Sequence, residues 1–123
     1  MYDRNLAREI LRQLREAATA ILERTEPLSS ADDFTGSDAG KIVFDSICML
    51  LIAIGEGLKN LDKVTHGALL PRYPHIDWKN AKGMRDIISH HYFSVDAEVI
   101  YHVCKNHIRP MAETIDEMIE ALS

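Results

Sequence analysis

The sequence contains few of the residues that cross-link a chain or break its helices. Its 123 residues include two cysteines, four prolines and six glycines. Two cysteines cannot build a disulfide framework, and we expect Cys48 and Cys104, which lie in apolar helical patterns, to be buried free thiols. The low content of glycine and proline also excludes collagen-like and low-complexity chains.

The sequence also lacks a long apolar segment. Its longest apolar run, Ile47–Ile54, is far shorter than the roughly 20 residues that a membrane-spanning helix needs. The N-terminal residues do not contain the apolar stretch of a secretory signal peptide. We therefore expect a soluble protein without a membrane partner, located in the cytoplasm, where free thiols persist.

An excess of basic charge is absent as well. The chain has 14 Lys and Arg against 19 Asp and Glu, which gives a net charge of −5 at pH 7. Bulk charge therefore gives no reason to expect indiscriminate nucleic-acid binding, and any anion site must be local. The length and the hydrophobic share of 46% predict a single globular domain over residues 1–123.

Apolar residues recur at helical spacing along most of the chain, and no segment alternates as a strand does. Polar segments at Ser30–Asp38 and Thr65–Asp77 are predicted as loops. The predicted fold class is all-α, an up-and-down bundle of four to five helices. Its four main helices run from Asp3 to about Arg24, from Ala39 to Val64, from Trp78 to about His90, and from a cap at Asp96 to Leu122 with a kink at Pro110.

The second predicted helix is apolar on nearly every side around Met49–Ile54. Such a helix is central or has two buried faces, for example a core face and a subunit interface. We therefore expect the chain to dimerise through its helices. Gly55 and Gly57 in the same helix have no side chains, which allows neighbouring helices to approach closely.

The densest group of chemically useful side chains lies between Arg85 and Tyr92, in the string RDIISHHY. An arginine fork suits a phosphate, and a histidine suits proton transfer near neutral pH. Asp86 and His90 are four residues apart and share a helix face, where the carboxylate can orient the imidazole. Arg85 and His90 are about 140° apart on an ideal helix. They meet at one phosphate only through a helix distortion, a long reach by the arginine or a two-fold copy of the helix.

The same string also fits a purely structural role. Arg85 and Asp86 suit surface positions, and His90 with His91 suits a helix end that the macrodipole stabilises.

A second feature is a stripe of arginines on the first helix, within about 80° of arc. Its members are Arg4, Arg8, Arg12 and Arg15. The stripe fits either a solvated face or a contact with RNA or an acidic partner. The six histidines and two cysteines lack a recognised metal-ligand spacing, and no cofactor-binding motif is present, so we predict neither a metal nor a cofactor.

The motif and its surroundings resemble the HepT-like family of small bacterial and archaeal proteins in the HEPN superfamily. The family signature is R-x4-H-x-Y with a polar residue after the arginine, and Arg85, Asp86, His90 and Tyr92 match it. The matching surroundings are Pro74 with Trp78, Gly83–Arg85, His90–Asp96 and Ile54–Glu56. The resemblance spans nearly the whole chain and implies a dimerising helical domain.

The resemblance also implies a function, because members of this family look like toxins of toxin–antitoxin systems. It implies a metal-independent endoribonuclease in which Arg85 binds the scissile phosphate. His90 would be the general acid or base during attack by the ribose 2′-hydroxyl, with Asp86 and His91 in supporting roles. The implied partner is a nucleotidyltransferase antitoxin that transfers AMP onto Tyr92. The alternative is a non-catalytic helical subunit that binds a nucleotide or such a transferase.

Overall fold

Of the six α-helices in residues 2–123, four begin at a side chain that caps a free backbone N–H group. The capping residues are Asp3, Ser37, Asp77 and Asp96. In the computed structural model, which describes residues 2–123, the helices are α1 (Arg4–Thr25), α2 (Asp32–Thr35), α3 (Asp38–Val64), α4 (Trp78–His90), α5 (Ala97–Asn106) and α6 (Ile108–Leu122). Two 3₁₀ turns complete it: Leu70–Arg72, and Tyr92–Ser94, which we call the motif turn. No strand occurs in residues 2–123, so the predicted all-α fold class is confirmed.

Helix α3 is the centre of the bundle, because α1, α2 and α4 all pack against it. Two glycines allow the close approach. A Cβ atom at Gly55 would lie 2.7 Å from the Cβ of Arg85 in α4, and one at Gly57 would lie 2.6 Å from Leu14 Cδ2 in α1. The predicted close approach at these two glycines is confirmed. Helix α6 packs along α1 on another side, and α5 packs on α6.

The core consists of the apolar stripes of these helices, with Leu11, Ile47, Leu58 and Ile115 almost completely buried. Trp78 is also buried, and its indole N–H donates to the carbonyl of Tyr73 at 2.9 Å. A buried indole needs such an acceptor, since an unpaired N–H in the core is costly.

The segment predicted as a loop between Ser30 and Asp38 contains the one-turn helix α2, so that prediction is wrong in part. Phe34 explains the difference, because it is fully buried and packs edge-on against Phe44 and Tyr101. One buried aromatic among polar residues gives no periodicity for a sequence analysis to detect.

The predicted single helix from Asp96 to Leu122, kinked at Pro110, is also wrong. The chain breaks at His107, between α5 and α6, and Pro110 lies in the first turn of α6. A proline is tolerated there because the first N–H groups of a helix have no intrahelical partner. The proline therefore follows the break and does not kink a continuous helix.

The two cysteines are free and buried, as predicted. Burial raises the pKa of the Cys48 thiol to about 11 and that of the Cys104 thiol to about 12, since an apolar surrounding disfavours the thiolate. Among the described residues, no helix combines the length and the apolar character that crossing a bilayer requires.

Candidate active site at the end of helix α4

Arg85 lies on the face of α4 that touches α3. Gly55 brings the two backbones together at this point, because any larger residue would collide with the Cβ of Arg85. Asp77 starts α4 by accepting from the amide of Asn80 at 3.0 Å. The position of Arg85 along α3 is therefore determined by a helix cap and by one close backbone contact.

Three ion pairs link α3 and α4 beside this contact. Lys82 Nζ lies 2.5 Å from Asp62 Oδ2. Lys59 Nζ lies 3.3 Å from Asp86 Oδ2. Arg85 Nε lies 2.6 Å from Glu56 Oε1. Lys82 near the start of α4 pairs with Asp62 near the end of α3, whereas Arg85 and Asp86 further along α4 pair with residues earlier in α3, so the helices are antiparallel.

Arg85 has two carboxylate neighbours. Its Nη1 donates to Asp86 Oδ1 at 3.0 Å, while its Nε approaches Glu56 closely without an aligned hydrogen bond. The hydrogen bonds from Arg85 and then from Lys59 lower the pKa of Asp86 below its ordinary value of 3.8. The guanidinium is only partly exposed, and a phosphate that binds it must compete with Glu56.

Asp86 therefore takes a different partner from the one that the sequence suggested. The expected contact was with the imidazole of His90, one helical turn further along. In the structure the Asp86 carboxylate accepts hydrogen bonds from Arg85 and Lys59. Asp86 and His90 still share a helix face, but the carboxylate does not hydrogen-bond to the imidazole and so does not fix its tautomer.

His90 and His91 end α4 with both rings exposed. The backbone N–H of His91 donates to the carbonyl of Ile87 at 3.0 Å and closes the last turn. The imidazoles that form hydrogen bonds are those of His75 and His102; within residues 2–123 the rings of His90 and His91 have no such partner. Both rings are therefore accessible to an external substrate.

Tyr92 opens the motif turn directly after these histidines. Its hydroxyl donates a hydrogen bond to Asp45 Oδ1 on α3, and its ring packs edge-on against Phe93. The hydrogen bond to Asp45, together with partial burial, raises the pKa of Tyr92 to about 12. The side chain is 41% exposed, and that of Phe93 is fully exposed. The phenol is thus accessible and stays protonated at neutral pH.

Helix α4 is regular through His90, which bears on how Arg85 and His90 can meet. The helix distortion that would bring them together is absent, and Arg85 reaches towards Glu56 on α3. Within one chain the two side chains consequently leave α4 on different sides, about 140° apart.

The arginine stripe of α1 mostly faces α6. Arg15 Nε lies 2.8 Å from Asp116 Oδ1, and Arg4 and Arg8 donate to the carbonyls of Ala121 and Leu122 at the end of α6. Arg12 is exposed and lies 3.9 Å from Glu9. Three of the four arginines thus tie α1 to α6, and their donors are partly used within the chain.

Comparisons with known proteins bear on the identity of this site. The family described as "Ribonuclease HepT-like" matches residues 14–118, which include the whole string from Arg85 to Tyr92. This chain belongs to the HepT-like ribonuclease family.

Three curated proteins are similar to the HepT-like chain over different shares of their lengths. A protein of Methanocaldococcus jannaschii named "Gamma-glutamylcyclotransferase and putative RNase" is 32% identical over 112 residues, which cover 91% of this chain and 47% of the relative. A "Putative RNase" of the same organism is 33% identical over 70 residues, covering 57% of this chain and 54% of the relative. The chain thus spans about half the length of these two curated relatives.

A "Putative RNase" of Caldanaerobacter subterraneus subsp. tengcongensis is 25% identical over 113 residues, covering 92% of this chain and 94% of the relative. No solved structure matches the chain.

The motif of the HepT-like chain lies on the surface, beside a shallow polar groove between α1 and α3. The groove has a volume of about 640 Å³ and is lined by Glu56, Lys59 and Lys63 of α3 and by Gln13 of α1, among others. A separate apolar cavity of about 480 Å³ lies between α4 and the α5–α6 pair, and neither Arg85 nor His90 lines it. The polar groove adjoins the motif, because Glu56 and Lys59, which line it, form the ion pairs with Arg85 and Asp86.

The contacts of the motif with Glu56, Lys59 and Asp45 were not predicted from the sequence. The first two could have been found, because Glu56, Lys59 and Asp62 recur every third residue on one helix face. Their charges complement those of Lys82 and the Arg85–Asp86 pair. Asp45 is 47 residues from Tyr92 in sequence, and no local pattern indicates that contact.

The described residues contain no group of three or more His, Cys, Asp or Glu side chains placed to hold a metal ion.

Proposed function

We propose that this HepT-like chain is the toxin of a toxin–antitoxin system and cleaves RNA as a metal-independent endoribonuclease. The observation that carries the proposal is the end of α4. Two accessible imidazoles, which have no hydrogen-bond partner among residues 2–123, follow an arginine that is held on α3, within a chain of a ribonuclease family. The buried free thiols fit a site of action in the reducing cytoplasm.

In the proposed reaction the ribose 2′-hydroxyl attacks the adjacent phosphorus. The O–P bond to the 5′-oxygen of the next nucleotide breaks, which leaves a 2′,3′-cyclic phosphate and a free 5′-hydroxyl. Arg85 stabilises the charge that develops on the phosphate oxygens, because its guanidinium is permanently charged and donates in a fixed fork. His90 transfers the proton as general acid or base, and His91 and Asp86 support it.

Asp86 has a second role in this proposal. Its carboxylate accepts hydrogen bonds from both Arg85 and Lys59. It therefore holds the Arg85 guanidinium at the contact between α3 and α4. A phosphate that displaces Glu56 from Arg85 leaves Asp86 in place as the orienting group. Lys59 and Lys63 in the adjoining groove provide positive charge for neighbouring phosphates of the strand.

The proposed partner is a nucleotidyltransferase antitoxin that transfers AMP onto Tyr92. The Tyr92 oxygen would attack the α-phosphorus of a nucleoside triphosphate, releasing pyrophosphate and the phenolic proton. Tyr92 is exposed enough to enter the active site of another protein. A phosphodiester two residues from His90 would repel the RNA backbone and compete for Arg85, which would silence the toxin.

The proposed assembly is a homodimer. Arg85 and His90 leave one α4 helix on different sides, so a second copy supplies the simplest way to complete the site. Ile42 and Met49 on α3 and Phe93 in the motif turn are exposed apolar side chains near Tyr92. Large exposed apolar side chains grouped on one side of a small domain are typical of an interface.

Total RNA incubated with the purified protein in a chelator tests the proposal. Intact mass must first show that Tyr92 carries no AMP, because a modified sample would be inactive. We expect the wild type to cleave, and Arg85→Ala and His90→Ala each to lose at least ~100-fold, the usual share of acid–base or oxyanion stabilisation. His102→Ala, which changes an exposed histidine on α5, is the matched control and should cleave normally.

Either of two results would overturn the proposal. A folded His90→Ala protein that cleaves as fast as wild type would remove His90 from the reaction. A folded, unmodified wild type that leaves a broad RNA pool intact would favour the alternative, a non-catalytic subunit that binds a nucleotide or a transferase. The Arg85 pocket, already occupied by carboxylates, would then be a binding site only.

A further inference from the structure

The motif turn is weakly connected to the rest of the chain. None of its three residues is buried, and its backbone hydrogen bonds are local: Ser94 N–H to His91 at 2.9 Å and Val95 N–H to Tyr92 at 3.3 Å. Within residues 2–123, the bond from the Tyr92 hydroxyl to Asp45 is the one side-chain hydrogen bond that joins this turn to a helix other than α4. The turn is therefore held on α3 at a single polar point.

Asp45 is a firm anchor for that point. It lies in a 27-residue helix whose opposite face is the centre of the core, with the neighbouring Ile47 and Cys48 buried. Its own carboxylate is on the outer face, in line with exposed Ile42 and Met49. Helix α3 thus presents one acceptor to a turn that has no buried residue.

We propose that Asp45 is a positioning residue, which holds the Tyr92 hydroxyl and so fixes the motif turn that directly follows His90 and His91. The hydroxyl donates this one hydrogen bond, and a carboxylate oxygen is a stronger acceptor than a neutral group. Its removal frees the turn without disturbing the core, because none of the residues in the turn is buried.

Part of the inference rests on the proposed function, namely on the transfer of AMP to Tyr92. An esterified Tyr92 has no hydroxyl hydrogen and adds a phosphodiester anion beside the Asp45 carboxylate. The hydrogen bond is lost and the two anions repel each other. Modification therefore releases the motif turn from α3, in addition to blocking the RNA site.

The test compares Asp45→Ala, Tyr92→Phe, the double variant and the conservative Asp45→Asn, with Asp38→Ala as a control for a lost carboxylate on the same helix. Hydrogen exchange at short labelling times, measured by mass spectrometry, gives the exchange rates of the backbone amides of residues 91–95. RNA cleavage is measured on the same samples. Tyr92→Phe removes only the hydroxyl oxygen and breaks the same hydrogen bond. It therefore provides the test if Asp45→Ala does not fold.

We expect faster exchange at residues 91–95 in Asp45→Ala and Tyr92→Phe, and no further increase in the double variant. Cleavage should fall by a similar factor in each single variant, on the order of 10-fold, because small displacements of catalytic groups are costly. Asp45→Asn should retain most of both, since an amide oxygen also accepts from a phenol.

Unchanged exchange in both single variants, or effects that multiply in the double variant, would overturn the inference. A wild type that does not cleave RNA would instead refute the proposed function, and the exchange data would still decide the role of Asp45.

Discussion

At the scale of single residues, the environment of Tyr92 is the most informative feature of the site. An adjacent carboxylate disfavours the phenolate and stabilises the protonated hydroxyl, which raises the pKa of Tyr92 from 10.0 to about 12. The folded-state pKa is thus above the unfolded one. The stabilisation from this hydrogen bond is complete below pH 10 and is lost as the pH rises towards 12.

Replacement of Asp45 by Asn should therefore lower the pKa of Tyr92 towards its ordinary value. The change removes the carboxylate charge and leaves a weaker acceptor. Ultraviolet titration measures it, with the Tyr92→Phe spectrum subtracted to isolate this phenol from Tyr2, Tyr73 and Tyr101. An unchanged titration curve in Asp45→Asn would show that Asp45 does not contact Tyr92 in solution.

The residues that form the motif could be predicted from the sequence, but their contacts could not. Arg85, His90 and Tyr92 stand out because eight consecutive positions contain a permanent cation, two imidazoles and a phenol. The partners Glu56 and Asp45 belong to another helix, and only the packing of α4 on α3 brings them into contact. The expected contact between Asp86 and His90 was wrong for the same reason. Lys59, which belongs to α3, pairs with the Asp86 carboxylate instead.

At the scale of helices, Gly55 controls where Arg85 lies. A Cβ at this position would meet the Arg85 Cβ at 2.7 Å and the Lys82 carbonyl oxygen at 3.2 Å, so α4 would have to move. Neither neighbour is the flexible end of a side chain. The close contact of the two helices, and with it the ion pairs beside it, depends on the absence of a side chain at Gly55.

Gly55→Ala should lower the free energy of unfolding, because overpacking usually costs about 1–3 kcal/mol. The better helix propensity of alanine offsets up to ~1 kcal/mol of that cost. The substitution should also lower RNA cleavage, because Arg85 is displaced. Gly83→Ala is the matched control: nothing lies within 4 Å of a Cβ there, so it should stabilise the fold by up to ~1 kcal/mol. Urea denaturation measures both. Equal effects of the two substitutions would refute the role of Gly55.

The helices themselves were largely predictable, because amphipathic patterns that follow the capping residues Asp3, Ser37 and Asp77 define α1, α3 and α4. The exceptions are short or broken elements. Helix α2 depends on the burial of one aromatic, Phe34, so tertiary packing decides it. The α5–α6 boundary lies at His107, three residues before Pro110, because a proline excludes the hydrogen bond to the carbonyl four residues earlier; the proline indicated an interruption but not whether it is a kink or a break.

At the scale of the whole molecule, Arg85 and His90 lie on different sides of α4. The proposed dimer would therefore be needed to bring an arginine and a histidine to the same phosphate. A site assembled from the arginine of one copy and the histidine of the other has a specific signature. The Arg85→Ala and His90→Ala proteins, each inactive alone, should complement one another when their subunits exchange.

The mixture should regain roughly a quarter of wild-type cleavage, because random exchange makes half of the dimers hybrids and each hybrid has one intact site of two. Sedimentation of the same mixture checks that dimers are present. A dimeric mixture that regains no cleavage would place each site within a single chain, and a monomeric wild type would refute the proposed assembly.

The central claim is that this HepT-like chain cleaves RNA through the ribose 2′-hydroxyl. The most direct measurement uses one RNA strand that the unmodified wild type cuts, and a second copy of it with a single 2′-deoxy sugar at the cut nucleotide, both in a chelator. The account predicts that the deoxy substitution abolishes that cut alone, and that the intact strand yields a 2′,3′-cyclic phosphate end. A cut at the deoxy position would contradict it, because no 2′-hydroxyl would be present to attack.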